Sequence, residues 1–146
     1  MRRTESAYCS HFTDITVPFF DVDSMFIVWH GHYVKYLEVS RCAFLSALQY
    51  DYTVMREHGF GWPIIKMDLK YIRPAQFGQK LQVELRLLEY ETYLKCGYII
   101  RDAASNEKLT EATTTQAAVN IISGEMQLQT PESWQTAVRR YLAQKQ

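Results

Sequence analysis

The sequence has no excess of charge of either sign and no long apolar run. Its 146 residues include 16 basic and 16 acidic side chains, so the formal net charge is zero. Nucleic-acid-binding proteins usually show a basic excess or a basic stripe, and the lack of both argues against a nucleic-acid partner. The opening segment, MRRTESAYCSHFTD, lacks the apolar region of a secretory signal. No stretch approaches the length of a membrane span.

Cysteine is scarce, and the chain has only Cys9, Cys42 and Cys96. Their odd number and wide spacing suit neither a disulfide framework nor a zinc site. Such thiols are expected in a reducing, cytoplasmic location. The chain also lacks a Ser-His-Asp signature, a phosphate-binding glycine loop and a dinucleotide fingerprint. At this length, with hydrophobic residues making up 47% of the chain, we expect one domain over residues 1–146.

The spacing of apolar residues predicts an α+β fold with one long helix. In that helix apolar residues lie on more than one side, as at Val34, Val39 and Leu45, which predicts packing on more than one side. We expect it to lie across a curved antiparallel sheet in two layers. The predicted elements are a strand over 14–20, helices over 32–49, 53–59 and 131–145, and a four-stranded meander over 64–74, 80–89, 92–102 and 109–122.

The segment FFDVDSMFIVWHGHYVKYLE places two aspartates and two histidines around the predicted start of the long helix. Asp23 precedes an apolar patch, residues 25–29, and is a candidate nucleophile or general base. The alternative is a solvated carboxylate where a strand becomes a loop. The first amides of a helix have no internal partners and can stabilise an oxyanion, and Gly31 leaves room for a substrate to approach them.

A metal site is a competing interpretation of the same segment, because Asp-x-Asp and His-x-His together offer four ligands. Side chains two residues apart at a helix start diverge by well over a quarter turn. The spacing also matches no standard zinc pattern. We therefore predict no metal, and we interpret His30 either as a hydrogen-bond donor to a substrate or as a helix-start residue bonded to backbone.

The segment DVDSMFIVWHGHYVKYLEVSR resembles the active-site segment of the 4-hydroxybenzoyl-CoA thioesterase family, especially its YbgC-like branch. The later stretch LKYIRPAQFGQKLQVE resembles the family's second and third strands, and the resemblance covers about residues 13–122. Each motif alone is weak, and the combination is specific. The matching positions are Asp21, Asp23, Val28, Trp29, His30, Tyr33, Glu38 and Arg41.

This resemblance implies a hotdog fold, in which an antiparallel sheet wraps around a long central helix. It implies a homodimer or homotetramer with active sites at the subunit interface, acting on acyl-CoA or an acyl-carrier protein without a cofactor. Asp23 would be the nucleophile or general base, and the amide at His30, beside Gly31, the oxyanion donor. The candidate substrate-binding residues are Trp29, His32, Tyr33 and Arg73.

The chain departs from the family at two neighbouring positions. The family often has glycine where this chain has Phe26, and a small residue where this chain has Met25. Bulk at these positions could reshape the acyl pocket or move the loop of Asp23. We expect Asp21 to order that loop by bonding backbone amides, and Glu38 and Arg41 to pair along the helix. Two other functions stay open, a hydroxyacyl dehydratase and a non-catalytic acyl-CoA-binding protein.

Overall fold

A computed structural model describes residues 6–145 as seven strands and three α-helices. A short 3₁₀ turn over Phe19–Asp21 precedes the first helix. The strands are β1 (Ser10–Thr16), β2 (Phe60–Gly61), β3 (Ile64–Tyr71), β4 (Lys80–Glu89), β5 (Leu94–Asp102), β6 (Lys108–Gln116) and β7 (Val119–Asn120), and the helices are α1 (His32–Ala47), α2 (Tyr52–Glu57) and α3 (Glu132–Gln144).

Five strands form one antiparallel sheet in the order β1-β4-β5-β6-β3, and β2 pairs with β7 separately. The predicted meander is therefore right for β4, β5 and β6 and wrong for β3, which pairs with β6 on the far side of the sheet. Alternation along a strand shows which face is buried but not which strand lies next to it. Residues 72–79 cross from the end of β3 to the start of β4.

The predicted first strand over 14–20 is also placed too far along the chain. β1 spans Ser10–Thr16 and pairs with β4 from Ser10 opposite Arg86 to Thr16 opposite Lys80. Pro18 follows the strand and has no amide to donate to a ladder. The predicted strand over 109–122 is likewise interrupted, because β6 ends at Gln116 and β7 begins at Val119.

Helix α1 lies against β1 and β4. Its buried side is formed by Tyr33, Tyr36, Leu37, Ser40, Arg41, Phe44 and Leu45. The apolar face of β4 meets it, since Leu81, Val83, Leu85 and Leu87 are all fully buried. Val34 and Val39 remain 39% and 44% exposed, so in this protomer the helix packs on one side and leaves apolar surface on another.

The predicted alternation fails on β3, where Ile65 and Tyr71 are exposed and only Met67 and Leu69 are half-buried. β3 is the last strand of the sheet, so one of its two edges has no strand beside it.

Helix α3 closes the core through Trp134, whose ring packs against the Trp62 ring with centroids 5.5 Å apart. No helix within residues 6–145 is long and apolar enough to cross a membrane.

Candidate active site

Asp23 lies in a tight loop that its own carboxylate helps to close. Asp23 Oδ1 accepts a hydrogen bond from the amide of Met25 at 2.8 Å. The backbone of Asp23 donates to Ile27 and accepts from Phe26, both at 2.9 Å. Phe26 has φ +61°, a left-handed conformation that glycine adopts more easily than an aromatic residue. The structure thus explains why glycine suits this position.

The Asp23 side chain is exposed in the protomer. Its Oδ2 receives no hydrogen bond from any side chain or amide within residues 6–145. One carboxylate oxygen therefore positions the loop, and the other stays available to a substrate or a water molecule. This geometry permits attack on an electrophile by the carboxylate, directly or through water.

The segment just before α1 presents two free amides. The amide of Trp29 donates to Asp21 O at 3.1 Å, and that of His32 donates to Trp29 O at 2.9 Å. Between them, the amides of His30 and Gly31 donate no hydrogen bond to any acceptor among the described residues. The positive end of the α1 dipole lies at the same place. Two free amides here can stabilise the charge on a tetrahedral intermediate.

A cavity of about 250 Å³ brings most of the predicted site residues together. It opens between the Asp23 loop, the start of α1 and the end of β3. Four of its side chains carry aromatic rings, so it presents an apolar wall with the Asp23 carboxylate at its edge. The lining residues are Asp23, Ile27, Val28, Trp29, His30, Tyr33, Tyr71, Ile72, Arg73 and Pro74.

Gly31 and His32, the remaining predicted site residues, lie beside this cavity. A side chain at Gly31 would meet the Trp29 ring, because an added Cβ falls 2.2–2.8 Å from its atoms. The room that we expected above Gly31 is therefore occupied by the Trp29 indole. The His32 ring contacts the same indole, with centroids 5.4 Å apart.

Asp21 is buried beneath the loop and binds side chains of α1. Its carboxylate accepts hydrogen bonds from Lys35 Nζ and from the Tyr36 hydroxyl, the latter at 2.7 Å. The expected bonds to backbone amides are therefore wrong for its side chain. Burial raises the pKa of the Asp21 carboxyl, but the hydrogen bonds from Lys35 and Tyr36 outweigh burial and leave the pKa below its ordinary value.

Two further predicted roles can be compared with the structure. Arg73 lines the cavity, and its Nε lies 2.7 Å from Glu107 Oε1. The predicted pairing of Glu38 with Arg41 is confirmed. Arg41 is buried and also donates to the Tyr98 hydroxyl at 3.1 Å, so this pair ties α1 to the sheet and stays away from the cavity.

The sequence did not single out Lys35 and Tyr36 as partners of Asp21, and for Tyr71 it left two positions open, in the acyl pocket or in the core. Helical spacing places Lys35 and Tyr36 next to each other, but nothing in it indicates a carboxylate fourteen residues earlier. Tyr71 reaches the site because β3 ends beside the start of α1. Within residues 6–145, no group of three or more His, Cys, Asp or Glu side chains is arranged to hold a metal ion.

Comparisons with known proteins show the family and the fold of the chain. The family profile described as "Thioesterase-like superfamily" matches residues 17–138. The Bacillus subtilis (strain 168) protein named "Putative acyl-CoA thioesterase YneP" is 28% identical over 108 residues, which is 73% of this chain and 78% of that protein.

Two solved structures are similar over nearly the whole chain. A DHNA-CoA thioesterase from Staphylococcus aureus superposes with a TM-score of 0.81 at 20% identity, covering 93% of both chains. A 1,4-dihydroxy-2-naphthoyl-CoA thioesterase from Synechocystis gives 0.78 at 21% identity, covering 90% of this chain and 96% of that one. At these identities the likeness concerns the fold, and it confirms the hotdog arrangement.

Proposed function

Because this chain belongs to the thioesterase-like superfamily and is a thioester hydrolase, we propose that it hydrolyses acyl-CoA thioesters through Asp23. The carboxylate attacks the thioester carbonyl, or activates a water that does so. The carbonyl oxygen becomes an oxyanion held by the amides of His30 and Gly31, and its collapse expels the CoA thiolate. If the carboxylate attacks directly, collapse leaves a mixed anhydride between the acyl group and Asp23, which water hydrolyses to the free acid. If the carboxylate activates water, collapse gives the free acid at once, and in both routes the thiolate takes up a proton that comes from the water. The observation that carries this proposal is a cavity lined by Asp23 and His30, with a free oxygen on the Asp23 carboxylate and free amides at His30 and, beside the cavity, at Gly31.

Each step of this reaction uses groups that the chain itself supplies. The carboxylate is the nucleophile or base, and the amides stabilise developing charge where no other acceptor satisfies them. The thiol of CoA is a good leaving group, so neither a metal nor a redox cofactor is needed. Trp29 and Tyr33 form part of the cavity wall that contacts the acyl group, and His32 supports the Trp29 ring.

The substrate class is part of this proposal. Arg73 has a planar guanidinium suited to phosphate and lies at the cavity beside Pro74, where it would bind a phosphate of CoA. The relative from Bacillus subtilis is named for acyl-CoA. We also propose the finer assignment to the 4-hydroxybenzoyl-CoA thioesterase family, on the residue pattern from Asp21 to Arg41.

Free-thiol release tests this function directly. The purified protein is mixed with short, long and aromatic acyl-CoAs, with acyl-carrier protein, and with a hydroxyacyl-CoA whose conversion to enoyl product is followed separately. Thiol release from an acyl-CoA supports the proposal. Thiol release from the carrier protein alone would change the substrate, enoyl product would indicate a dehydratase, and binding without turnover would indicate a binding protein.

The free edge of β3 supports a homodimer or homotetramer. β3 is an eight-residue edge strand, and Ile64 and Ile65 on it are 37% and 44% exposed. An edge strand presents a row of unpaired amides and carbonyls that another strand can pair with. Tyr71 and Arg73 at the end of this strand line the cavity, so a second copy paired along β3 would help to enclose the substrate.

Light scattering of wild type and Ile65→Lys tests this assembly. Charge on an edge strand disfavours strand pairing, so the variant should be smaller in solution, with lower activity. A wild-type monomer, or an Ile65→Lys variant of unchanged mass, would contradict pairing along β3.

We also propose a cytoplasmic location, because Cys9, Cys42 and Cys96 are all free thiols.

A further inference from the structure

We propose that the Tyr71 hydroxyl is a positioning residue for the oxyanion site, acting through the carbonyl of His30. This inference rests on the proposed thioester hydrolysis and adds a residue to it. Tyr71 Oη donates a hydrogen bond to His30 O at 3.1 Å, across forty-one residues of sequence. The His30 carbonyl and the Gly31 amide belong to the same peptide unit.

A trans peptide is planar, and its carbonyl and amide point in opposite directions. Fixing the direction of His30 O therefore fixes the direction of the Gly31 N–H. The preceding peptide, which carries the His30 N–H, is fixed in the same way by the hydrogen bond from His32 N to Trp29 O at 2.9 Å. Each of the two free amides thus has its peptide plane set by a bond to the carbonyl of its own peptide unit.

The two planes differ in what holds them. The Trp29–His30 peptide is held by the turn at the helix start itself. Within this turn the His30–Gly31 peptide has only a long bond, from Tyr33 N to His30 O at 3.4 Å. The shorter bond from Tyr71 is therefore the main restraint on the His30–Gly31 peptide. The Tyr71 ring is held in turn by the Tyr33 ring, with centroids 5.3 Å apart, and it reaches the site from β3.

This arrangement assigns separate roles to the two parts of the Tyr71 side chain. The ring lines the cavity and would affect substrate binding, whereas the hydroxyl orients the His30–Gly31 peptide and would affect turnover. A hydrogen bond to the carbonyl also polarises the peptide and makes its N–H a better donor. The developing negative charge on the thioester oxygen would benefit most, because charge appears there only in the transition state.

The kinetic test compares Tyr71→Phe with wild type and with Tyr8→Phe, using the best substrate of the acyl-CoA panel. Tyr8 is a half-exposed tyrosine that packs on Tyr90, away from the cavity. We expect Tyr71→Phe to lower kcat about fivefold to tenfold, the effect of one neutral hydrogen bond, with KM within about twofold. Tyr8→Phe should match wild type. An unchanged kcat, or a rise in KM alone, would overturn the inference.

A spectroscopic readout tests the hydrogen bond without any activity. The chain has two His-Gly pairs, His30–Gly31 and His58–Gly59. Labelling histidine with carbonyl carbon-13 and glycine with nitrogen-15 therefore gives two NMR signals, the second serving as an internal control. In Tyr71→Phe the His30–Gly31 signal should move and the His58–Gly59 signal should stay. If both signals stay in place, Tyr71 does not set this peptide plane.

The same labels keep the inference testable if Tyr71→Phe fails to fold. Fluorotyrosine placed at position 71 alone keeps the phenol and makes it a stronger donor, so the His30–Gly31 signal should shift while the His58–Gly59 signal does not. The two proposals also fail separately. A wild type without thiol release on any substrate refutes the hydrolysis, whereas an active wild type with a fully active Tyr71→Phe refutes only the role of Tyr71.

Discussion

Replacing Asp21 by asparagine removes one buried charge while keeping the size of the side chain. The carboxylate is 1% exposed and binds Lys35 and Tyr36 of α1. Its backbone carbonyl accepts the Trp29 amide at 3.1 Å. Asp21 therefore joins the loop of Asp23, the segment of the free amides and the helix. Loss of the carboxylate should therefore lower the stability of the fold and, at the same time, loosen the loop of Asp23.

The size of the effect follows from these contacts. A hydrogen bond to a charged group contributes roughly 1.5–3 kcal/mol and a neutral one about 1, so the Tyr36 bond loses about 1 kcal/mol in Asp21→Asn. The Lys35 side chain is 45% exposed, and the ion pair therefore contributes only about 0.5–1 kcal/mol. Together they give a loss of about 2 kcal/mol in the free energy of unfolding.

Urea unfolding at fixed protein concentration measures this loss. With an m-value of about 2 kcal/mol/M, the midpoint of Asp21→Asn should fall by about 1 M at neutral pH. Asp14→Asn, an exposed site on β1, is the matched control and should stay within about 0.5 kcal/mol of wild type.

The difference in the free energy of unfolding between wild type and Asp21→Asn should depend on pH with a definite sign. The pKa of Asp21 is lower in the folded chain than its ordinary value of 3.8. Its contribution is thus fully present above the unfolded-state pKa and is lost as pH falls through the folded-state pKa. The gap between wild type and Asp21→Asn should narrow below about pH 4. A gap that is absent at neutral pH, or constant down to acid pH, would refute the reasoning.

Three smaller predictions concern the loop and the cavity. Phe26→Gly should raise the free energy of unfolding by about 0.5–1 kcal/mol in urea titration, since it removes a left-handed aromatic residue; a decrease would contradict this. Gly31→Ala should displace the Trp29 indole and change tryptophan fluorescence, and an unchanged spectrum would count against that packing. Arg73→Ala should raise KM for acyl-CoA several-fold, whereas Glu107→Gln, which frees Arg73, should lower KM. If both variants had the KM of wild type, Arg73 would be excluded from substrate binding.

Much of this arrangement could be predicted from the sequence, because local patterns carry it. Helix α1 begins at His32 as expected and ends at Ala47, two residues early, and the alternation of β4 and β5 matches their burial. The pairing of β3 with β6 could not be predicted from periodicity, because alternation contains no information about a strand's neighbour. The family resemblance implied a sheet wrapped around a helix, and no strand order was predicted from it.

The site shows the same division between local and long-range features. Asp23, His30 and Gly31 fall within nine residues, so one segment was enough to bring them forward as candidates. The partners that fix this segment come from elsewhere: Tyr71 reaches His30 from the end of β3, and Lys35 contacts Asp21 from α1. Such contacts depend on how elements pack, which no single stretch of sequence specifies.

Asp23→Asn provides the most direct test of the central claim. Wild type, Asp23→Asn and the control Asp14→Asn are compared for thiol release on the best acyl-CoA, at equal concentration and with folding checked by circular dichroism. An amide of the same shape can keep the loop bond to Met25 but cannot attack or remove a proton. We predict that kcat falls at least 100-fold in Asp23→Asn and is unchanged in Asp14→Asn. Near wild-type turnover by Asp23→Asn would contradict the mechanism.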